Sequence, residues 1–397
     1  MKKTIHIKDK YEKAKDIFRW IERFFLVLGT WPLRPMNVRF TLWMIYLAIH
    51  FTFAQIDLYY VIGDLQLMVE NITETGLLFI MVFRLISAKF SRRLRTIIKL
   101  AINFIDAKHF RGEEEWQLYL NYNRMAKSFF KIVLPIAIVT TVMFWFKPMQ
   151  LRIEAALRNE TKPYPMAYRV NYLFEIKDDK TFYLIWFYQA PQVYFAPWYC
   201  SSIGLLLTLV YHMSGQLSVL SFRVKNLTVN DFENEQTAKI VFQELAQTHQ
   251  NIVELAKGVN GVFGPLLLDE LLISTVLVGL TIYTTIMNAD IANVGDILSP
   301  LSYGMSVILL IYSSCVAGEY LVTESSNLYA AYYECLWYDM PMSCKKQLLI
   351  CMLGASRPIQ LSAAGFYDYT MFLFISILKT AGGYISLLRT MTEKQQE

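Results

Sequence analysis

The sequence predicts an all-α membrane protein with seven transmembrane helices, a cytoplasmic N-terminus, an extracellular C-terminus and a cytosolic helical anchor region. Of the 397 residues, 55% are hydrophobic and only 18% are charged, a balance typical of chains that cross a membrane repeatedly. Apolar stretches long enough to span a hydrocarbon core, about 20 residues each, recur along the chain. They lie at roughly 40–62, 66–88, 130–147, 182–213, 265–288, 298–322 and 365–391.

The distribution of Lys and Arg predicts the orientation, because basic residues accumulate in cytoplasmic segments next to spans. Residues 1–35 are strongly basic, and five further basic residues follow the second span: Lys89, Arg92, Arg93, Arg95 and Lys99. The segments 57–71 and 288–297 contain acidic residues and neither Lys nor Arg. The N-terminus is therefore predicted inside, and seven spans then place the C-terminus outside.

The stretch from Tyr11 to Leu28 has the pattern of an amphipathic helix. Its apolar residues Ile17, Trp20, Ile21, Phe24 and Phe25 fall near one helical face. A short helix lying at the inner membrane surface is expected from this pattern. The segment lacks the apolar core of a cleavable signal peptide, so the first span is expected to act as the insertion signal.

Modification signals fit the predicted topology. Two sequons, Asn71-Ile72-Thr73 and Asn159-Glu160-Thr161, fall on the outer side, whereas Asn226-Leu227-Thr228 falls on the cytosolic side, where it cannot be glycosylated. The five cysteines are odd in number and lie in spans or cytosolic segments. No disulfide framework is predicted.

The segment 214–262 carries an apolar stripe interleaved with charged residues. Its members are Leu217, Leu220, Val224, Ile240, Phe242, Leu245, Ile252 and Leu255. Such a stripe needs a partner surface. With the segment 334–358 it is expected to form a compact cytosolic helical domain, within one subunit or between subunits, and its length favours a role in assembly.

No pattern of a catalytic or metal site is present. The five histidines stand singly, which is more typical of core or surface imidazoles than of metal ligands. Gly382-Gly383 lies in an apolar helix without the Lys-Ser/Thr of a phosphate loop and indicates close helix packing or a bend. We predict no enzyme activity, no cofactor and no binding of nucleic acid.

Charged side chains within spans cost free energy in a bilayer, so each one needs a structural or functional explanation. Arg84 and Glu319 lie near inner ends, where their side chains can snorkel to the surface. Asp269 and Glu270 begin the fifth span and are expected to cap it or to pair with the basic inner face. Lys379 lies deeper, which leaves open a structural ion pair or a place in a pore.

Aromatic residues and methionines crowd the outer halves of spans two, three, four and six. Interfacial belts of Trp and Tyr explain much of this pattern, and the alternative is an apolar cavity for a small volatile ligand. The apolar candidates are Leu77, Phe79, Met143, Trp145, Phe146, Phe187, Tyr188, Tyr194, Phe195, Tyr303 and Met305, with hydroxyls from Thr75, Thr140, Ser302 and Ser306.

The C-terminal part of the sequence resembles the insect odorant receptor family. The resemblance is carried by Cys315, Gly318-Glu319, Glu324-Ser325, Tyr332 or Tyr333, Trp337, Pro341, Lys345-Lys346, Leu348, Arg357-Pro358, Leu361, Ala364-Gly365, Phe366, Lys379, Tyr384, Ser386 and Leu387-Leu388. Length, span number and orientation are similar over the whole chain, but only roughly the last eighty residues are specific.

The resemblance implies an odorant-gated, non-selective cation channel in the plasma membrane of olfactory neuron dendrites, in contact with membrane lipid and assembled as a heterotetramer with a shared co-receptor. A small volatile apolar ligand would bind among spans two, three, four and six. Leu387 and Met391 would form an apolar gate, with Thr390 on the same pore-facing side; alternatively, all three pack into the helix bundle. The second cytosolic loop is shorter than that of the co-receptor, which favours a tuning subunit.

This interpretation divides the chain into a cytosolic N-terminal amphipathic segment (1–35), spans one to four with the ligand pocket (36–213), a cytosolic helical extension (214–262), spans five and six (263–325), cytosolic anchor helices (326–360), a pore-lining span (361–392) and an extracellular tail (393–397). The alternatives are a seven-helix receptor coupled to G proteins, which would need the opposite orientation, and a gustatory-type channel, whose C-terminal Gln-Phe is absent. A transporter is a further alternative, but no inverted repeat is evident.

Overall fold

The computed structural model describes residues 2–63, 65–105, 110–159, 163–168, 170–228, 231, 235–287 and 294–396. The long helices are α1 (Lys2–Val27), α2 (Val38–Tyr60), α3 (Leu65–Phe90), α4 (Arg92–Phe104), α5 (Glu113–Leu157), α6 (Asp179–Gln189), α7 (Phe195–Lys225), α8 (Glu235–Met287), α9 (Val294–Glu334), α10 (Met342–Ala355) and α11 (Met371–Gln396). A short antiparallel hairpin, β1 (Ser362–Ala363) with β2 (Tyr367–Asp368), precedes α11.

Several helices are suited to a membrane. Within the described residues, five are long and apolar enough to cross one: Val38–Tyr60, Glu113–Leu157, Asp179–Lys225, Gln236–Val276 and Gly304–Glu334. The second predicted span falls in α3, and α11 contributes a shorter apolar helix, Met371–Gly383. The predicted all-α architecture is confirmed, while the count of seven spans and the orientation of the termini stay predictions.

Helix α7 forms the centre of the bundle. Every residue of α7 from Cys200 to Leu217 is buried, whereas only five of the 23 residues of α2 are, so α7 is surrounded by protein and α2 lies at the periphery. Helices α5 and α9 pack along its length. Gly204 faces the ring of Phe130, and Gly215 faces Tyr119. Without a side chain at these two glycines, the α5 aromatics can lie directly on the α7 backbone.

The predicted fourth span, 182–213, is not one continuous helix. Helix α6 ends at Gln189, and a 3-10 turn, Ala190–Tyr194, separates it from α7. Pro191 lies at the start of this turn and has no backbone N–H to continue the α-helical ladder. The turn directs Gln192, which is 5% exposed, towards α2.

The amphipathic helix predicted at 11–28 is present within α1, and most of its apolar side packs against the chain itself. Ala14, Ile17, Ile21 and Phe25 are at most 1% exposed, because α1 packs against α5 and α7. Polar contacts fix it there: Asn123 Nδ2 donates to Ala14 O at 3.0 Å. Of the five predicted apolar residues, Ile17, Ile21 and Phe25 are buried against protein, whereas Trp20 is 45% exposed.

The apolar stripe of 214–262 is also covered within the chain. Leu217, Leu220, Val224, Phe242, Leu245, Ile252 and Leu255 are at most 2% exposed, and Ile240 alone of the predicted stripe is exposed. Helix α8 buries its share against α4, α9 and α10. The chain's own helices thus cover this stripe, so the stripe gives no support to the predicted role in assembly, and the packed helices belong to one subunit.

The final helix begins six residues later than the predicted Gly365. The chain turns between β1 and β2 at Ala364 and Gly365, both with positive φ (52° and 84°), a conformation that glycine adopts without steric cost. The first helical residue is Met371. Residues 361–370 thus form a hairpin against α8 rather than the start of a span.

Arg84 does not snorkel to the surface. It is 2% exposed and forms an ion pair with Glu270, which is equally buried. Its guanidinium also donates to Ser202 Oγ at 3.3 Å and Leu266 O at 3.4 Å, and it lies 4.8 Å from the ring centroid of Tyr199. The pairing predicted for Asp269-Glu270 with basic residues is therefore made by Glu270, and its partner is buried between α3, α7 and α8.

The two outer sequons differ in accessibility. Asn71 is 0% exposed, and its amide donates to Ala54 O at 3.0 Å and Asp57 Oδ2 at 2.9 Å. Asn159 is exposed at the end of α5. Asn71 is thus a packing residue between α2 and α3. The five cysteines are all buried as free thiols.

Candidate ligand site and gate

An aromatic cluster joins α2 to the end of α6. The ring of Tyr188 lies 5.3 Å from that of Tyr46, 6.1 Å from His50 and 6.0 Å from Tyr172. Tyr46 OH donates to the backbone carbonyl of Tyr188 at 3.0 Å. Gln192 Nε2 donates to the His50 ring at 2.7 Å. We call Tyr46, His50, Tyr172, Tyr188 and Gln192 the α2–α6 aromatic cluster.

The hydroxyl of Tyr188 is the unused polar group of this cluster. It is buried and has no hydrogen-bond partner among the described residues. A buried hydroxyl without a partner is costly, by about 1–3 kcal/mol, so an arriving donor or acceptor would gain binding free energy there. Tyr188 OH is accordingly the group of this cluster that could hydrogen-bond to a ligand.

Helix α6 is held in place at its N-terminal end. Asp178 caps its start, accepting from Thr181 Oγ1 at 2.7 Å and Thr181 N at 3.0 Å, and these bonds lower the pKa of the Asp178 carboxyl. Arg152 of α5 binds Asp179 at 2.6 Å. Helix α6 is thus a fixed wall that presents Tyr188 to α2.

One of the predicted residues, Trp145, serves this wall. The indoles of Trp145 and Trp186 stack at 4.1 Å with an interplanar angle of 9°, and each indole N–H donates to the other residue's carbonyl, at 3.2 and 2.9 Å. Trp145 therefore ties α5 to α6 with its polar atom already satisfied. Its role in this arrangement is structural.

The remaining candidates do not converge on one cavity. Phe79, Met143, Phe146, Phe187 and Met305 are 42–63% exposed and face away from the chain's own core. Tyr194 and Phe195 pack against other helices of the chain. Tyr194 OH donates to Phe24 O of α1 at 2.9 Å, and the ring of Phe195 packs on Trp43 of α2. The exposed set contains neither Trp nor Tyr and does not line a cavity within the described part of the chain.

The predicted hydroxyls are mostly engaged locally. Thr75 donates to Asn71 Oδ1 at 3.0 Å, and Ser306 donates to Ser302 O at 2.8 Å. Thr140 is buried, 8% exposed. The side chains of Leu77 and Tyr303 lie outside the described residues.

Sequence reasoning missed the α2 half of the cluster. Tyr46 and His50 lie four residues apart in an apolar helix, a spacing that places both rings on one face. That spacing could have identified Tyr46 and His50 from the sequence, because a helix that faces only lipid rarely carries two polar rings on one side.

A small cavity lies on the inner side of the bundle, away from the aromatic cluster. Its volume is about 10 Å³, and Arg84, Ser202, Phe25 and Phe263 contribute to its walls. A site of that size holds about one water molecule. It is too small for a volatile organic ligand.

The N-terminal end of α11 is anchored by three contacts. Glu319 Oε2 of α9 accepts from Met371 N at 3.1 Å and so caps the helix, which stabilises its positive end. Tyr369 OH donates to Leu267 O at 3.0 Å. The backbone carbonyl of Tyr369 lies directly over Gly318, where an added Cβ would be 1.9 Å away.

One side of α11 is not covered by the chain. Leu373 and Ala381 are buried, whereas Phe372, Ile375, Lys379, Thr380, Gly382 and Gly383 are exposed. Lys379 therefore lies outside the chain's own core. The side chains of Leu387, Thr390 and Met391 lie outside the described residues, so their assignment to a gate stays a prediction.

The comparisons with known proteins agree on one family. The chain is 30% identical over 165 residues to odorant receptor 49a of Drosophila melanogaster, covering 41% of this chain and 40% of that protein. It is 26% identical over 156 residues to the odorant receptor coreceptor of Anopheles gambiae, covering 39% and 32%. The chain thus matches less than half the length of each of these two relatives.

The fold comparison extends over almost the whole chain. The olfactory receptor OR5 from Machilis hrabei, solved in complex with eugenol, superposes with a TM-score of 0.76 at 16% identity, covering 95% of this chain and 99% of that one. The profile described as 7tm Odorant receptor matches residues 64–382, well beyond the C-terminal stretch that carried the resemblance. This chain belongs to the 7tm odorant receptor family.

Proposed function

We propose that this chain is the ligand-tuning subunit of an odorant-gated, non-selective cation channel that assembles as a heterotetramer with a shared co-receptor. The observation that carries the proposal is the uncovered side of α11. A helix facing lipid has no use for a lysine, a threonine and two adjacent glycines on its free side. Four such helices around an axis would give those residues a water-filled path.

A second surface supports assembly. Helix α10 exposes Met342, Leu349, Ile350 and Leu353, each at 63–76%. Tyr333 and Tyr338, exposed by 68% and 59%, lie in the same anchor region. In the proposed topology this region faces the cytosol, where an apolar patch needs a protein partner. The similarity to the Anopheles gambiae coreceptor favours a partner of that kind.

The decisive experiment is whole-cell current from cells that express this chain with and without an insect co-receptor, under a panel of esters, alcohols, aldehydes and hydrocarbons. Rapid cation current that needs both chains is the expected result. Current from this chain alone would show that it forms a homomeric channel and does not need the co-receptor. A ligand-dependent G-protein signal would overturn the channel proposal.

The ligand is proposed to contact Tyr188. Replacing Tyr188 by Phe removes one hydrogen bond, typically 0.5–1.5 kcal/mol, so half-maximal concentrations for ligands with a polar atom should rise about three- to tenfold, while hydrocarbon ligands change little. Dose–response currents measure this. Tyr183→Phe, on the same helix but 41% exposed, is the matched control, and equal shifts for both variants would remove Tyr188 from the site.

The gate is proposed to comprise Leu387 and Met391, with Thr390 on the pore side. Truncating Leu387 or Met391 to Ala should widen an apolar constriction, and we expect a several-fold rise in current before ligand is added. Whole-cell recording at matched surface expression measures it. Currents unchanged in both variants would place these residues in bundle packing instead.

The proposed orientation makes Asn159 the outer residue available for glycosylation. Helix α5 continues ten residues beyond the predicted end of the third span, from 147 to Leu157, a rise of about 15 Å. Glycosidase treatment should therefore shift the wild-type band, and Asn159→Gln should abolish that shift. Asn71→Gln should leave it unchanged, since Asn71 is buried; a shift that survives Asn159→Gln would contradict the assignment.

A further inference from the structure

Helix α4 separates its side chains into an apolar face and a basic face. Its inward residues Leu94, Ile97, Ile98 and Ala101 are at most 5% exposed. Opposite them, Arg92, Arg95, Thr96 and Lys99 are exposed, at spacings of three and four that form one helical stripe. Arg93, also exposed, lies at the flank of this stripe. The helix contains no acidic residue.

The cations of this face are uncompensated. Across the described residues, no ion pair involves Arg92, Arg93, Arg95 or Lys99. Other basic residues of the predicted cytosolic region do have acidic partners: Arg111 binds Glu244 at 2.6 Å, Arg223 binds Glu115 at 2.8 Å and Lys225 binds Glu334 at 2.7 Å. The neighbouring Lys89 donates to three backbone carbonyls, those of Gly29, Arg34 and Pro35. The exposed face of α4 thus carries four cations close together on one short helix.

Packing against α8 fixes the depth of this face. A Cβ at Gly261 would lie 3.4 Å from Arg93 Nη1, and one at Gly258 would lie 3.0 Å from the Ile97 side chain. Helix α4 therefore runs along α8 away from the fifth span, predicted to begin at 265. Four residues of helix correspond to about 6 Å, and the headgroup layer of one leaflet is about 5–8 Å thick. Arg93 is thus level with the headgroups.

Lys99 lies farther from the membrane on the same stripe. Six residues of helix separate it from Arg93, about 9 Å, which is close to the Debye length of about 8 Å at physiological ionic strength. The surface potential of an anionic leaflet is strongly attenuated over that distance. The three arginines and Lys99 therefore differ in distance from lipid while sharing a helix and a charge.

We propose that Arg92, Arg93 and Arg95 bind the headgroups of anionic phospholipids in the inner leaflet. Guanidinium groups match phosphate in geometry and donate two parallel hydrogen bonds. The proposal rests on the cytoplasmic orientation of the N-terminus and is independent of which ligand opens the channel. It assigns the site a structural effect as well, because bound lipid would brace α4, and through Ile97 also α8, at the membrane surface.

Lipid competition on the purified full-length protein tests the site. Native mass spectrometry after incubation with equimolar phosphatidylserine and phosphatidylcholine should show preferential retention of phosphatidylserine. Arg95→Gln should weaken that binding about fivefold at low salt, the scale expected for one basic residue near an anionic surface, and the triple Arg92/Arg93/Arg95→Gln variant should lose most of the preference. Lys99→Gln is the matched control and should retain it.

Two results would overturn the proposal. A triple variant that keeps its preference for phosphatidylserine, with an unchanged size-exclusion profile, would show that the arginines serve membrane insertion alone. Equal losses for Arg95→Gln and Lys99→Gln would show that total charge, and not headgroup contact, governs binding. If the triple variant fails to fold, the comparison of these two single variants still decides. Neither readout depends on current, so failure of the odorant-channel proposal is recognised separately.

Discussion

Replacing Arg84 by Gln should remove most of the folded receptor from the cell surface. The substitution leaves the Glu270 carboxylate buried, 2% exposed, without its cation. Breaking one partner of a buried ion pair costs about 3–5 kcal/mol, a large part of the 5–15 kcal/mol that typically holds a domain folded. Surface biotinylation and thermal unfolding of the detergent-solubilised protein measure the loss.

A matched control and a rescue sharpen this expectation. Arg34 pairs with Glu22 at 2.9 Å, but the two side chains are 57% and 28% exposed, so Arg34→Gln should cost at most about 1 kcal/mol. The double change Arg84→Met with Glu270→Leu removes both charges and should recover much of the lost stability. Equal stability of Arg84→Gln and Arg34→Gln would mean that the buried pair contributes little to the fold.

Introducing a single methyl group at Gly318 should disrupt the junction between α9 and α11. The new Cβ would lie 1.9 Å from the carbonyl oxygen of Tyr369, a backbone atom that cannot rotate away. Overpacking of this kind costs about 1–3 kcal/mol of stability. Here it also displaces Tyr369, which lies two residues before Met371, the first residue of α11. We expect Gly318→Ala to lower the unfolding temperature and to change ligand-evoked current at equal surface expression.

Gly304→Ala provides the comparison on the same helix, since nothing lies within 4 Å of a Cβ there. In a helix interior, Ala is favoured over Gly by roughly 0.8–1.0 kcal/mol, so Gly304→Ala should be neutral or stabilising. If Gly318→Ala behaved in the same way, the contact between Gly318 and Tyr369 would not constrain the final helix.

Sequence patterns predicted what depends on local periodicity. The long apolar stretches of the sequence predicted the helices, and the residues Ile17, Ile21 and Phe25 were correctly placed on one apolar face of α1. The partner of that face was not, because an amphipathic pattern is the same whether it packs on protein or on a membrane. Arg84 shows the same limit: its partner Glu270 lies 186 residues away, and no local pattern links two such positions.

The residues of the candidate ligand site were likewise predicted only in part. Tyr188 was predicted because aromatics crowd the outer half of the fourth span. Tyr46 and His50 were missed because the ligand was expected among spans two, three, four and six, although the first span, 40–62, itself carries seven aromatic residues. Their meeting depends on the 3-10 turn after Gln189, which redirects the chain. Exposed candidates such as Phe79 and Phe187 have the composition of a pocket wall, but only the packing of neighbouring helices decides which side a residue faces.

The central position of α7 has a consequence for biosynthesis. A membrane protein is made from its N-terminus, so α1, α2, α3 and α5 enter the cell's insertion machinery before the helix on which α1 and α5 pack has been translated. Until residue 225 has emerged, buried surfaces such as Phe130 and Tyr119 have no glycines of α7 to lie against, and partly folded chains with exposed apolar surface aggregate readily. Truncated or stalled chains that end before α7 should therefore be retained and degraded, and the receptor should depend on chaperones mainly during synthesis of its first half.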